Sequence, residues 1–155
     1  MSAQALLDAA KAKGVMLATA ESCTGGMVSA AITDIAGSSA VFDRAFITYT
    51  NAAKTQMLGV LPVTLDAFGA VSEEVAREMA EGALRNSDAD ITVAITGIAG
   101  PGGSDHKPEG RVCFGVASEA GVRTETVEFG AQGRANVRTA ARDHALALLL
   151  GAVEA

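Results

Sequence analysis

The residues with the clearest chemical potential lie at 20–26, in the run Ala-Glu-Ser-Cys-Thr-Gly-Gly. An apolar, strand-like segment at 15–19 precedes this run and a helical pattern of apolar residues follows it, so Ser22 stands at a strand-to-helix turn. A helix N-terminus leaves about four backbone N–H groups without partners, and these groups attract a phosphate or a developing oxyanion. Ser22 is therefore a candidate nucleophile. The alternative is that Ser22 or Thr24 only caps the helix, a common role for these residue types.

Tyr49 and Lys54 form the second set of candidates. A predicted strand at 45–49 ends at Tyr49, and Lys54 lies one turn into the helix predicted for 51–58. Both side chains can point toward the carboxyl end of the sheet, where Ser22 also lies. A lysine serves as the base for a serine when burial keeps its amine neutral, because desolvation lowers the pKa of lysine. A solvated lysine and an interior tyrosine with a hydrogen-bonded hydroxyl are the alternatives.

A glycine-rich loop at 97–103 follows the nearly all-apolar strand predicted at 91–96. Open α/β sheets bind ligands at the carboxyl ends of their strands, and four glycines within seven residues let a backbone approach a ligand closely. The loop matches neither the phosphate-loop pattern GxxxxGK[ST] nor the dinucleotide-binding pattern GxGxxG. The sequence therefore predicts neither a nucleoside triphosphatase nor a dinucleotide-binding fold. A flexible surface turn is the alternative.

Arginines recur every four residues on the last predicted helix, at Arg134, Arg138 and Arg142. Positive charge near a helix N-terminus is unfavourable because it opposes the helix macrodipole. An anionic ligand would explain why arginines are placed there. A solvated stripe relieved by Glu128 or Asp143 is the alternative.

Two cysteines far apart in sequence, Cys23 and Cys113, show no CxxC spacing, which argues against a zinc site or a disulfide framework. Cys23 is a rival nucleophile to Ser22 on the same turn, since a helix N-terminus lowers the pKa of a thiol. It ranks second because its side chain should point toward the interior.

Composition bounds the class of protein. The 155 residues suggest one domain, 1–155, with a core that is aliphatic and alanine-rich, since 49% of residues are apolar and only 4% aromatic. The net charge of −6 and the absence of a basic block argue against nucleic acid as a partner. We find no secretory signal pattern and no apolar segment of the roughly 18 residues that span a membrane, so we expect a cytoplasmic protein without a membrane partner.

Helical and strand patterns alternate along most of the chain and give way to a hairpin near the end. This order predicts an α/β fold, a three-layer α/β/α sandwich with a mixed, mostly parallel sheet. The predicted helices are 3–13, one that follows the Ser22 turn and runs to about 34, 51–58, a turn at 65–68, one capped by Ser72, and 134–153. The predicted strands are 15–20, 45–49, 91–96, 111–117 and 122–129.

Seven ordered blocks resemble the CinA C-terminal domain family and together span nearly the whole chain. The blocks are AESCTGG (20–26), AGSSAVF (36–42), ITYTNAAK (47–54), LGV (58–60), GAVSE (69–73), TGIAGPGG (96–103) and KPEGRV (107–112). The stand-alone members of this family are nicotinamide-nucleotide amidases, and larger members carry an additional N-terminal domain. The chain is similar to the free-standing type. Thr50 and Ala52 depart from the family pattern, which more often has serine and glutamate there.

The resemblance implies hydrolysis of the carboxamide of nicotinamide mononucleotide by a serine–lysine pair with a tyrosine, here Ser22, Lys54 and Tyr49. It implies no metal and no organic cofactor. The substrate is the expected small-molecule partner. The sequence does not fix the oligomeric state, and the wet edge strand of a small domain leaves a homodimer open. The residues implied to contact the substrate are Thr24, Gly25, Gly26, Thr96, Gly97, Gly100 and Arg138, with Lys107 a weaker candidate for the phosphate. A nucleotide-binding module without catalysis and an amidase of other specificity are the alternatives.

Overall fold

Alternating helices and strands build the chain as the sequence patterns predict. The computed structural model describes residues 3–155. Its elements, in chain order, are α1 (Ala3–Lys13), β1 (Leu17–Glu21), α2 (Met27–Thr33), a short 3₁₀ helix (Ser38–Ala40), β2 (Phe42–Ile47), α3 (Asn51–Leu58), α4 (Pro62–Phe68), α5 (Glu73–Arg85), β3 (Ile91–Gly97), β4 (Arg111–Ser118), β5 (Gly121–Glu128) and α6 (Arg134–Glu154).

The strands form one five-stranded sheet in the order β2-β1-β3-β4-β5. β1 is parallel to both of its neighbours, whereas β4 is antiparallel to β3 and to β5, so four strands share one direction and the sheet is mixed. β3 is buried along nearly its whole length, as a strand covered on both faces should be. β5 is an edge strand in which exposed and half-buried residues largely alternate.

Helices cover both faces of this sheet, which confirms the predicted three-layer sandwich. One apolar cluster joins the sheet to α1, α2 and α6 through residues such as Leu6, Val28 and Leu149. A second cluster lies on the opposite face and contains Leu58 and Met79, from α3 and α5. No helix within residues 3–155 combines the length and the apolar character needed to cross a membrane.

The parallel register brings three strand ends to one edge of the sheet. Glu21, the last residue of β1, pairs with Ile47 of β2 on one side and with Ile95 of β3 on the other. The segments that leave β1, β2 and β3 therefore start side by side. The predicted nucleophile, the predicted base and the glycine-rich loop all lie in these segments.

One predicted boundary near this edge is wrong. β2 ends at Ile47 rather than at Tyr49, because it pairs only with β1, whose ladder ends at Glu21. α2 begins at Met27, the first apolar residue of the helical pattern predicted after the Ser22 turn. The residues between Glu21 and Met27 form an extended turn in which Gly25 and Gly26 have positive φ angles of 56° and 108°, a backbone conformation that glycine adopts without strain.

Candidate active site

Ser22 and Lys54 form a buried pair at the carboxyl edge of the sheet. The Ser22 N–H donates to the carbonyl of Ile95 at 3.0 Å, which fixes the residue directly beyond β1. The Lys54 Nζ lies 3.0 Å from the Ser22 Oγ. The same Nζ donates to two carbonyl oxygens, those of Thr48 at 3.0 Å and Tyr49 at 3.3 Å. The structure thus brings together two residues that are 32 positions apart in the chain.

The environment of Lys54 favours its neutral form. The side chain is 1% exposed, and desolvation by this burial lowers the pKa of the amine below the ordinary lysine value. Within residues 3–155 no carboxylate lies within 4.0 Å of its Nζ. A buried lysine without a counter-ion loses its proton more readily than a surface lysine, as a general base requires.

Glu21 is a structural determinant of the site that the sequence analysis missed. Its fully buried carboxylate accepts hydrogen bonds from the hydroxyls of Thr19 and Thr24, and from the N–H groups of three residues at the start of α2. The three N–H donors are Gly26, Val28 and Ser29, at 3.1, 3.0 and 3.0 Å. Glu21 therefore fills the anion-binding position at this helix N-terminus. Neither Ser22 nor Thr24 caps the helix.

This arrangement changes the set of backbone donors open to a substrate. The Gly25 N–H donates to the Ser22 carbonyl and the Gly26 N–H donates to Glu21, so both predicted donors are already occupied. The N–H groups of Cys23 and Thr24 make no hydrogen bond within residues 3–155. Cys23, the residue directly after the serine, lines the cavity described next.

A cavity of about 350 Å³ opens above the Ser22–Lys54 pair. The glycine-rich loop 97–103 forms one wall, and Ala70 and Val71 from the connection before α5 form another. Thr96, Gly97 and Gly100, implied by the resemblance to contact the substrate, all line this cavity, as do Tyr49, Lys107 and Arg134.

Tyr49 lies at the rim of the cavity rather than between Ser22 and Lys54. Its side chain is 58% exposed, and its hydroxyl accepts a hydrogen bond from the Arg134 Nη2 at 2.9 Å. Its contact with Lys54 is made by the main-chain carbonyl. The tyrosine hydroxyl therefore makes no hydrogen bond with either member of the pair.

Arg138, the arginine favoured from the sequence, does not line the cavity. Its guanidinium donates to the carbonyls of Cys23 at 2.9 Å and Thr24 at 3.2 Å, both in the turn that carries Ser22. Thr24 is fully buried with its hydroxyl on Glu21 and is also absent from the lining. Of the three helix arginines, only Arg134 reaches the cavity.

Lys107 joins two loops at the cavity wall. Its Nζ donates to the carbonyls of Phe68 and Val71, both at 2.6 Å, and so ties residues 68–71 to the segment after the glycine-rich loop. The ammonium carries three donors, and these two bonds leave one unassigned.

Cys23 has the character of a core thiol. The residue is 5% exposed, and burial raises the pKa of its thiol to about 12. A thiol with this pKa is protonated at neutral pH and is a poor nucleophile. Ser22 is the stronger nucleophile candidate for this reason.

The fold and the pair together define an α/β protein with a serine–lysine dyad at the carboxyl ends of parallel strands. Comparison with known proteins assigns its family, because the family model "CinA C-terminal domain" matches residues 1–153. The chain belongs to the CinA C-terminal domain family.

Similar proteins include two with enzymatic names. The "Nicotinamide-nucleotide amidohydrolase PncC" of Escherichia coli K12 is 53% identical over 143 residues, which cover 92% of this chain and 87% of that protein. The protein of the same name from Enterobacter agglomerans is 59% identical over 114 residues, covering 73% and 70%. The solved structure of the competence/damage inducible protein CihA from Agrobacterium tumefaciens has a TM-score of 0.94 at 48% identity, over 99% of this chain and 93% of that one.

Proposed function

We propose that this protein hydrolyses the carboxamide of nicotinamide mononucleotide to nicotinic acid mononucleotide and ammonia, with Ser22 as nucleophile and Lys54 as general base. The observation that carries the proposal is the buried 3.0 Å contact between the Ser22 Oγ and the Lys54 Nζ at the floor of the cavity. The similarity to amidohydrolases that are named for nicotinamide nucleotides supports the substrate.

The three partners of the Lys54 amine are compatible with a neutral base. A neutral amine has two N–H donors and one lone pair. Two of its partners, the carbonyls of Thr48 and Tyr49, can only accept, so they take both donors. In the charged form the third N–H of Lys54 donates to the Ser22 Oγ at 3.0 Å; in the neutral form the lone pair takes this position and accepts the Ser22 hydroxyl hydrogen. This direct contact supports proton transfer from serine to lysine without an intermediary.

The reaction follows from this arrangement in two steps. The Ser22 Oγ attacks the amide carbon while Lys54 takes the hydroxyl proton, which gives a tetrahedral oxyanion. The unpaired N–H of Cys23, with that of Thr24, is our candidate for the oxyanion hole, and losing one such donor typically costs about 10²–10³ in rate. Lys54 then returns the proton to the nitrogen, ammonia leaves, and water hydrolyses the acyl-enzyme with Lys54 again acting as base.

The 5′-phosphate requires a cation at the other end of the cavity. Arg134 lines the cavity and has no carboxylate within 4.0 Å among residues 3–155. A guanidinium matches the geometry of phosphate and binds it with charge-assisted hydrogen bonds. We therefore assign the phosphate to Arg134, with the remaining donor of Lys107 in support, instead of to Arg138, whose donors hold main-chain carbonyls. That the reaction needs no metal or organic cofactor stays a prediction from the resemblance. A homodimer and the lack of nucleic-acid partners stay predictions from the sequence.

Ammonia release from nicotinamide mononucleotide tests the proposal. Purified wild type should release it, and Ser22→Ala should lose a factor on the order of 10⁴–10⁶ in kcat, as serine hydrolases do without their catalytic residues. Ser39→Ala, an exposed serine outside the cavity, is the matched control and should keep full activity. Equal release by wild type and Ser22→Ala would remove Ser22 from its role. Binding without release by wild type would instead favour a nucleotide-binding module, and a panel of other amides would reveal a different specificity.

A further inference from the structure

Two hydrogen bonds hold the Arg134 guanidinium in place. Its Nη2 donates to the Tyr49 hydroxyl at 2.9 Å and its Nη1 donates to the Gly100 carbonyl at 2.7 Å. A guanidinium has five N–H donors, so three stay available. The contacts tie α6 to the segment after β2 and to the glycine-rich loop, which are two walls of the same cavity.

The Tyr49 ring has no role in the apolar core. It is 58% exposed and belongs to neither core cluster, and its hydroxyl makes no hydrogen bond within residues 3–155 other than the one from Arg134. The two polar ends of this residue have different partners, since the main-chain carbonyl contacts Lys54 while the hydroxyl contacts Arg134. The placement of the hydroxyl is explained by the arginine and not by the serine–lysine pair.

We infer that Tyr49 is a positioning residue for substrate recognition: its hydroxyl holds the Arg134 guanidinium at the cavity rim, ready to bind a 5′-phosphate monoester. This inference rests on the proposed function and adds the determinant by which the site selects a nucleotide over the corresponding nucleoside. An unrestrained arginine loses much side-chain entropy when it binds an anion. The Tyr49 and Gly100 contacts restrict that freedom in advance, so the phosphate meets an ordered cation.

Binding measurements isolate this role from catalysis. In a Ser22→Ala background, calorimetry gives the Kd of nicotinamide mononucleotide and that of nicotinamide riboside, which lacks the phosphate. Arg134→Gln should lower the preference for the nucleotide by about 10²-fold, since it removes a bidentate pair of charge-assisted bonds. Tyr49→Phe should lower the same preference by about 3- to 10-fold, the effect of losing one hydrogen bond. Arg142→Gln is the control, because Arg142 pairs with Asp143 on the same helix and does not line the cavity.

A double variant shows whether the two residues act together. In an Arg134→Gln background, Tyr49→Phe should have no further effect on the preference, because the hydroxyl no longer has a guanidinium to hold. Independent effects of the two substitutions would overturn the inference. So would a background protein that binds the nucleoside as tightly as the nucleotide.

Kinetics separate this role from a direct part in the chemistry. With active Ser22, Tyr49→Phe should raise KM for the nucleotide and lower the ratio of kcat/KM for nucleotide over nucleoside. A loss in kcat of equal size on both substrates would instead place the hydroxyl in the proton transfer and overturn the inference. Failure of the wild type to hydrolyse either substrate would refute the proposed function alone, because the binding preference and its dependence on Tyr49 are measured without turnover.

Discussion

Replacing Glu21 by glutamine should destabilise the protein although the two side chains have nearly the same shape. The carboxylate accepts five hydrogen bonds, three from backbone N–H groups and two from threonine hydroxyls. A glutamine amide keeps one accepting oxygen and presents an NH₂ group in place of the other. The Thr19 hydroxyl can rotate and accept from that group, but the Ser29 N–H faces it donor to donor.

The cost follows from the groups left without partners. A buried N–H without an acceptor costs about 1–3 kcal/mol, and loss of a negative charge at a helix N-terminus costs about 0.3–2 kcal/mol. The surviving bonds to Gly26 and Val28 also lose their charge assistance. We expect a loss of about 3 kcal/mol in the free energy of unfolding, which lowers Tm by roughly 6–12 °C for a chain of this size.

Urea unfolding followed by circular dichroism measures this loss, and amide hydrogen exchange at Gly26, Val28 and Ser29 shows where protection falls. Glu81→Gln is the matched control: Glu81 is exposed on α5 and makes no hydrogen bond or ion pair within residues 3–155, so its change should stay within about 0.5 kcal/mol. A Glu21→Gln protein as stable as this control would refute the view that the carboxylate holds the turn.

Further predictions concern the remaining buried groups. Lys54→Met should abolish amide hydrolysis. Wild-type activity should rise with pH as the pH passes the lowered pKa of Lys54, and a rate that does not change with pH would contradict this prediction. Iodoacetamide at neutral pH should leave activity intact, because burial raises the pKa of the Cys23 thiol to about 12; rapid inactivation would restore the thiol as a candidate. Gly115→Ala should destabilise by about 1–3 kcal/mol, since its Cβ would lie 2.6 Å from the Ala76 carbonyl oxygen. Gly151→Ala, at an exposed position of α6, should stabilise by about 0.5–1 kcal/mol in the same urea assay.

The fold was predictable because its signals are local and periodic. Three signals each have one structural interpretation, and the structure contains all three: the apolar run at 91–96, the glycine that ends α1 and the Ser72 cap of α5. Segment boundaries failed where pairing decides them, as at the end of β2, because a strand ends where its neighbour's ladder ends.

The site was predictable as a set of segments but not as a set of contacts. The order of strands in the sheet brings Ser22 and Lys54 together, and no spacing in the sequence encodes a 3.0 Å distance across 32 residues. Arg134 and Arg138 stand one helical turn apart, so which of them enters the cavity depends on how α6 packs. Glu21 had a usable signal: an acidic residue at the end of a buried strand, six positions before a helix that begins without a side-chain cap of its own.

The burial of Lys54 that serves the site also destabilises the fold. Burial lowers the pKa of its amine, so between that pKa and the ordinary lysine value of about 10.4 the unfolded chain binds more protons at this residue than the folded protein does. The free energy of unfolding must therefore rise with pH across this interval. Below the interval, the buried charge of Lys54 lowers the free energy of unfolding. Methionine at position 54 has no such titration, so the stability of Lys54→Met relative to wild type should be greatest at neutral pH and shrink as the pH rises toward 10. A difference in stability that stays constant with pH would mean that Lys54 is not desolvated in the fold, and the argument for a neutral base would fail with it.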